Sequence, residues 1–113
     1  MKECKMHIVL DEGAKMPCRA HEADAGYDLF SREDAVIHPN SGGVFDTGVH
    51  VQIPEGCVGF VKSKSGLMVN HGITTDGTID SHYTGSIRVC LFNRGGNKYY
   101  VHAGDKIAQL VIV

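Results

Sequence analysis

Missing from this chain is any apolar run long enough to cross a bilayer. The first residues, Met1-Lys2-Glu3-Cys4-Lys5-Met6-His7, also lack the hydrophobic block of a signal peptide. Together these absences predict a cytoplasmic protein with no membrane partner. An excess of positive charge is missing as well. Eleven Lys and Arg stand against thirteen Asp and Glu, a formal net charge of −2, so no broad positive field is available to hold a nucleic-acid polymer. A small phosphorylated ligand remains compatible, because a few local cations or a bound metal suffice to neutralise its phosphates.

Paired cysteines are absent too. Cys4, Cys18, Cys57 and Cys90 are far apart, with no C-x-x-C and no His at finger-like spacing, which excludes the common zinc sites. Without a secretory signal the expectation is reduced, mostly buried thiols. His21-Glu22 lacks the spacing and the paired cysteines of zinc nucleoside deaminases. No G-x-x-x-x-G-K-[ST] phosphate loop, internal repeat or low-complexity segment occurs either. At 113 residues, 42% hydrophobic and 21% charged, the composition is that of one ordinary globular domain, residues 1–113.

What is present is a series of short strand patterns separated by turn chemistry. Met6 to Leu10, Ala25 to Ser31 and Val36 to His38 read as strands, with Pro39-Asn40-Ser41-Gly42-Gly43 as a dense turn. From Val44 to Ile53 the apolar Val49, Val51 and Ile53 alternate with His50 and Gln52, the period of a half-buried strand. Pro54-Glu55-Gly56 reverses the chain and Cys57 to Lys62 returns. Residues 63–72 form a polar bend with room for a single helical turn. Ser86 to Phe92, a turn at Asn93-Arg94-Gly95-Gly96-Asn97 and Lys98 to His102 read as a hairpin, and Ile107 to Val113 as a last strand. The pattern predicts an all-β sandwich, barrel or jelly roll.

Four pieces carry chemistry, and each also has an ordinary reading. Gly77-Thr78-Ile79-Asp80-Ser81-His82-Tyr83-Thr84-Gly85 is a Gly-bracketed turn; its glycines allow positive backbone angles and close approach, so Asp80 and Tyr83 can face a cavity. Taken alone it is better read as a surface hairpin whose Asp bonds its own backbone. Lys64-Ser65-Gly66 sets a cation, a hydroxyl and a Gly amide in sequence, a combination that embraces phosphate oxygens or simply makes a solvated bend. Asp28 reads as a turn cap, or as a group that bonds the waters of a magnesium ion. In Gly104-Asp105-Lys106-Ile107-Ala108-Gln109-Leu110 the Asp and Lys read as solvent-facing, Ile107 and Ala108 as core, and Gln109 as pointing to the opposite face.

In order along the chain, Ala25-Gly26-Tyr27-Asp28-Leu29, Lys64-Ser65-Gly66-Leu67, the Gly77 to Gly85 turn and Gly104 to Leu110 resemble the first four signature motifs of the trimeric deoxyuridine triphosphate nucleotidohydrolases, the dUTPases. The resemblance runs from about Ala25 to the C-terminus. It implies a jelly-roll-like β-clip domain, assembled as a homotrimer with shared active sites, that hydrolyses dUTP to dUMP and pyrophosphate with Mg2+. It further implies that Asp80 activates the water attacking the α-phosphorus and that Tyr83 packs on the deoxyribose and excludes a 2′-hydroxyl. By the same likeness Asp28 holds the metal through water, while Lys64, Ser65 and Gly66 bind phosphates. Ile79 lies against the substrate, and Gln109 joins the phosphate and water network. The hairpin before Asp80, with Ile73, Thr74, Gly77 and Thr78, reads uracil.

This sequence departs from the family pattern in three places. Lys64 stands where Arg is usual and loses the bidentate fork. The segment between His71 and Asp80 is compact and lacks an Asn that some relatives place near the base. The Gly-rich fifth motif is absent and the sequence stops on Leu110-Val111-Ile112-Val113, which leads to the expectation of a further C-terminal tail. Two alternatives follow: a dUTP-binding regulatory module impaired in turnover, and a relative of dCTP deaminase. The latter ranks lower, since its catalytic Glu follows Thr-Leu where this chain has Thr78-Ile79-Asp80.

Overall fold

Alternation decides the layers. Along Ser86–Asn93 the residues Ile87, Val89, Leu91 and Asn93 are buried, while Arg88 and Cys90 face solvent. Phe45, Thr47, Val49 and Val51 do the same along Ser41–Gln52. Strands with one apolar face must pair and then stack, and they do so as two antiparallel sheets. The computed structural model describes residues 6–113. Residues 1–5, Cys4 among them, which entered the signal-peptide and thiol expectations, lie outside the described residues.

The strands are β1 His7–Leu10, β2 Gly26–Phe30, β3 Ala35–Ile37, β4 Ser41–Gln52, β5 Gly59–Lys62, β6 Ile73–Thr74, β7 Asp76–Ile79, β8 Ser86–Asn93, β9 Tyr99–Val101 and β10 Lys106–Ile112. One sheet has the order β1-β4-β8-β6, the other β2-β10-β5-β7, and β3 pairs with β9 in a two-stranded ribbon. Between the sheets lies one apolar core, with Phe45, Leu29, Ile53, Ile87, Leu91 and Leu110 among its fully buried members. This is the all-β, jelly-roll-like domain expected. Among the described residues no helix is long and apolar enough to cross a membrane.

Several details differ from expectation. The bend after Lys62 holds a seven-residue helix, α1 Ser65–His71, closed by Gly72 at φ 70°. A side chain at Gly72 would also collide with the Gly95 backbone, 2.7 Å from where its Cβ would sit. The turn at Pro39 is shorter than its composition suggests: Asn40, at φ 59°, makes it, and Ser41, Gly42 and Gly43 already pair with Asn93, Phe92 and Leu91. Residues 86–102 are not a simple hairpin, because β9 pairs with β3 rather than β8. Thiol burial was overestimated as well, since Cys18 and Cys90 are exposed and Cys57 is half-buried.

One irregularity matters for the site. Between Asp46↔Arg88 and His50↔Ser86, β4 carries extra residues and bulges. Gly48 lies in the bulge at φ 69°, with Arg32 so near that a Cβ would stand 2.8 Å from the guanidinium carbon. Thr47 donates its hydroxyl to the Ile87 carbonyl at 2.7 Å, which locks the bulge onto β8.

Candidate active site

The last residue of β7, Ile79, turns into the core, so the next, Asp80, is presented to solvent. The chain reverses there, with the Tyr83 amide donating to the Asp80 carbonyl at 3.0 Å. Tyr83 then folds back, donates its hydroxyl to the Ser86 carbonyl at 2.8 Å and lays its ring over Gly85. Any Cβ at Gly85 would strike that ring. Glycine is needed here for close approach and not for a left-handed backbone, since neither Gly77 nor Gly85 has a positive φ. The result is a cavity of about 220 Å3 walled by Gly77, Thr78, Ile79, Asp80 and Tyr83, with Arg88 on its rim. Among the described residues the Asp80 carboxylate accepts no hydrogen bond.

A second group forms at the far edge of the same sheet, on β2 and β10. Asp28 is only 5% exposed, and one carboxylate oxygen lies 2.5 Å from Lys64 Nζ while the other lies 3.3 Å from Lys106 Nζ. Lys106 was expected to face solvent. It does, with its side chain half exposed, and from there it also reaches Asp28; a register irregularity in β10 between Lys106 and Ala108 accompanies the burial of both Ile107 and Ala108, as expected. Beside Asp28 in register sits Gln109, whose amide donates to the Ser63 carbonyl at 3.0 Å. Its side chain fills the space over Gly26, where a Cβ would overlap it.

The two groups do not meet within one chain. Asp28, Gln109, Lys62 and Asp76 form a row across β2, β10, β5 and β7. Three strand spacings, roughly 14 Å, therefore separate Asp28 from Asp76, and Asp80 lies further along the exit of β7. Ser65 and Gly66 are exposed at the start of α1, on the Lys64 side. The expected hairpin before Asp80 is not one: β6 pairs with β8 and β7 with β5, so the chain crosses between sheets at Thr75. Ile73 is consigned to the core and Thr74 to the first sheet, while Gly77 and Thr78 do reach the cavity. Ser63 bridges the crossing, its hydroxyl donating to the Thr75 carbonyl and accepting from the Thr75 amide.

The donor chemistry constrains a metal. Among the described residues no group of three or more His, Cys, Asp or Glu side chains could hold an ion. Asp28 faces two ammonium groups, so that cluster carries net positive charge and suits an anion better than a bare dication. An ion held by protein side chains alone therefore does not fit these residues, whereas a hydrated cation carried by an anionic ligand does.

Sequence reasoning missed the residues behind the turn. The Ser86 hydroxyl donates to Asp46, whose carboxylate also accepts the Gly48 amide at 2.9 Å. These bonds, the Ser86 one first, hold the Asp46 carboxyl below its ordinary value, and Arg32 at 3.4 Å adds to the effect. His50 stands on the other side of the bulge, Nδ1 at 2.9 Å from the Thr84 carbonyl and Nε2 at 3.0 Å from Asp11. Both contacts raise its pKa, the carbonyl most. Only the alternation of β4 pointed outward here; the bulge that brings both residues under the turn leaves no local signal beyond Gly48.

The family model described as dUTPase matches residues 12–113. A deoxyuridine 5'-triphosphate nucleotidohydrolase of Clostridium tetani is 43% identical over 107 residues, which cover 92% of this chain and 74% of the relative. One from Mycobacterium avium is 46% identical over 109 residues, 93% of this chain and 71% of the relative. Among solved structures, the dUTPase of phage phi11 of S. aureus, described with a structural Mg(II) ion, superposes with a TM-score of 0.89 at 34% identity, covering 96% of this chain and 90% of the other. The dUTPase of Staphylococcus bacteriophage 80alpha, solved with dUpNHpp, gives 0.90 at 32% identity, with 96% and 89% covered. An exposed, unengaged carboxylate on a turn cavity, a buried carboxylate between two lysines and these matches agree in one assignment: the chain belongs to the dUTPase family.

Proposed function

We propose that this chain hydrolyses dUTP to dUMP and pyrophosphate, with Asp80 as the general base. The observation that carries the reading is the Asp80 carboxylate itself, exposed, lining a cavity and without a hydrogen-bond partner among the described residues. A carboxylate that accepts no protein hydrogen bond is available to accept one from water. In the step, the water oxygen bonds to the α-phosphorus, the α–β bridging P–O bond breaks, pyrophosphate leaves and the proton passes to Asp80.

Tyr83, its ring held on Gly85 and its hydroxyl on Ser86, would stack against the deoxyribose and exclude a 2′-hydroxyl. Ile79 and the backbone of Gly77 and Thr78 line the base end of the same cavity, while Ile73 and Thr74 support it from the first sheet. Lys64, Ser65 and Gly66 bind the phosphates, and Gln109 orders the water network beside them. Mg2+ carried by the phosphates would supply charge neutralisation, with Asp28 holding it through water.

Asp28 and Asp80 are too far apart in one chain to act on one triphosphate, which supports a homotrimer in which neighbouring copies complete each site. The test is pyrophosphate release from dUTP by this chain with Mg2+, with UTP, dCTP and dTTP in parallel. Selective release from dUTP is expected. Release from none of the four, with no dUTP-specific thermal stabilisation, would overturn the reading.

A further inference from the structure

The turn that presents Asp80 is held to the rest of the fold by little. Its own bonds, Tyr83 amide to Asp80 carbonyl and Tyr83 hydroxyl to Ser86 carbonyl, close the turn upon itself. Among the described residues, beyond the Tyr83 bond to the adjoining Ser86, one side-chain hydrogen bond ties residues 80–85 to a distant part of the chain, and it comes from His50 to the Thr84 carbonyl.

His50 is constrained from both ends. Nδ1 lies 2.9 Å from the Thr84 carbonyl oxygen, and Nε2 lies 3.0 and 3.1 Å from the two oxygens of Asp11. A carbonyl and a carboxylate can only accept, so each ring nitrogen must donate. A neutral imidazole has one N–H and leaves one of the two contacts as lone pair against lone pair. The full arrangement exists only when both nitrogens carry protons. Asp11 is fixed in turn, its amide donating to the Gly48 carbonyl of the bulge at 2.8 Å.

We propose that His50 is a positioning residue for the Asp80 to Gly85 turn, an imidazolium that ties the Thr84 carbonyl to the Asp11 carboxylate. The inference rests on the reading of Asp80 as the reacting carboxylate. The charged groups that face the ring are Asp11 at the end of β1 and Asp46 on β4, the latter shared with Arg32 and Arg88; His7 on β1 lines the same groove. The carboxylates and the Thr84 carbonyl all favour the charged ring, so its pKa lies above the ordinary 6.5. Sign follows directly: the tie is complete below about 6.5 and is lost as pH rises through the folded value. The charged Asp11 carboxylate is the stronger acceptor and keeps the remaining proton on Nε2, so loss leaves an Nδ1 lone pair against the Thr84 oxygen and frees the turn to move Asp80 away from the α-phosphorus.

The test combines histidine ring NMR, backbone amide NMR and kcat/KM for dUTP across pH 5.5 to 9 (about this range), on the wild type, Asp11→Asn and His50→Gln. His50 should titrate above the ordinary value, and the amides of residues 80–85 should shift with the same midpoint. Asn in place of Asp11 can accept from or donate to Nε2, so it should lower both midpoints together. In the wild type, kcat/KM should fall about 3- to 10-fold through that midpoint, the worth of one ordinary hydrogen bond. His50→Gln should lack that limb. Turn amides that ignore the His50 midpoint would overturn the tie. A pH limb unmoved by both substitutions would overturn the positioning role while leaving hydrolysis intact. Should no hydrolysis occur, the functional reading fails by itself, and the amide titration still decides whether His50 holds the turn.

Discussion

Two carboxylates, Asp80 and Asp28, stand in opposite circumstances. Asp80 follows the end of a strand, exposed, with no hydrogen bond to its side chain among the described residues, on a turn held from behind. Asp28 sits mid-strand, 5% exposed, with an ammonium group on each oxygen. A base must be free to take a proton, whereas a charge organiser must be fixed and balanced. The contrast supports the proposed roles better than either residue does alone. It also explains why the bridge to Asp28 tolerates Lys64 where the family pattern has Arg: a single oxygen receives each lysine, so a bidentate fork is not needed to hold Asp28 itself.

The largest expected effect breaks the Asp80 side of this comparison. Asp80→Asn keeps the shape of the turn and removes the proton acceptor, so turnover of dUTP should fall by about 10²- to 10⁴-fold. Binding of a non-hydrolysable dUTP analogue should stay within a few-fold, and the melting temperature should not fall, because no internal partner is lost. Steady-state pyrophosphate release and calorimetric binding together check this. A variant that turns over dUTP as the wild type does would remove Asp80 from the role of base.

Breaking the Asp28 side should act on the fold instead. In Asp28→Ala the two lysines lose their shared counter-charge and a buried position loses its polar occupant. Removing one partner of a fully buried pair costs several kcal/mol, but Lys64 and Lys106 are 30% and 50% exposed and can swing into water. The expected loss is therefore about 1–3 kcal/mol, read as a shifted urea midpoint at unchanged slope. An unchanged midpoint would mean that the cluster contributes nothing to folding and would weaken the contrast drawn here.

How much of this was legible beforehand follows from what kind of information each feature needs. Strand periodicity in β4 and β8 is local, so the all-β architecture and most of the core could be read directly. Asp28, Lys64, Gln109, Asp80 and Tyr83 were marked by motif order, and the structure places them in two groups rather than one. Partner choice between strands is not local. That β9 would seek β3, and that β6 and β7 would part into different sheets, depends on which apolar faces remain unpaired after the long β4–β8 ladder forms. Lys106 faces solvent as expected, and what could not be read was its contact with Asp28, which lies across a register irregularity in β10. The support of Asp46 and His50 beneath the turn comes from residues roughly 40 positions away across a bulge, a relation that period and propensity do not encode.

The smallest effect concerns that support, and it tells whether the turn, like the cluster, is held by charge. Asp46 accepts from the Ser86 hydroxyl and the Gly48 amide and pairs with Arg32 at 3.4 Å, which together lower its pKa from 3.8. A carboxyl with a depressed pKa contributes stability that is present above the unfolded value and is lost as pH falls through the folded one. In Asp46→Asn an amide oxygen still accepts from Gly48, so only the charge-dependent part disappears. The gap in melting temperature between wild type and Asp46→Asn should be constant from neutral pH down to the ordinary 3.8 and should close below it. Because the side chain is 45% exposed, solvent screens much of the interaction and the gap should amount to a few degrees at most. A gap that stays constant well below the ordinary carboxylate range would show that Asp46 holds Ser86 by shape alone, leaving His50 as the charged contact beneath the turn.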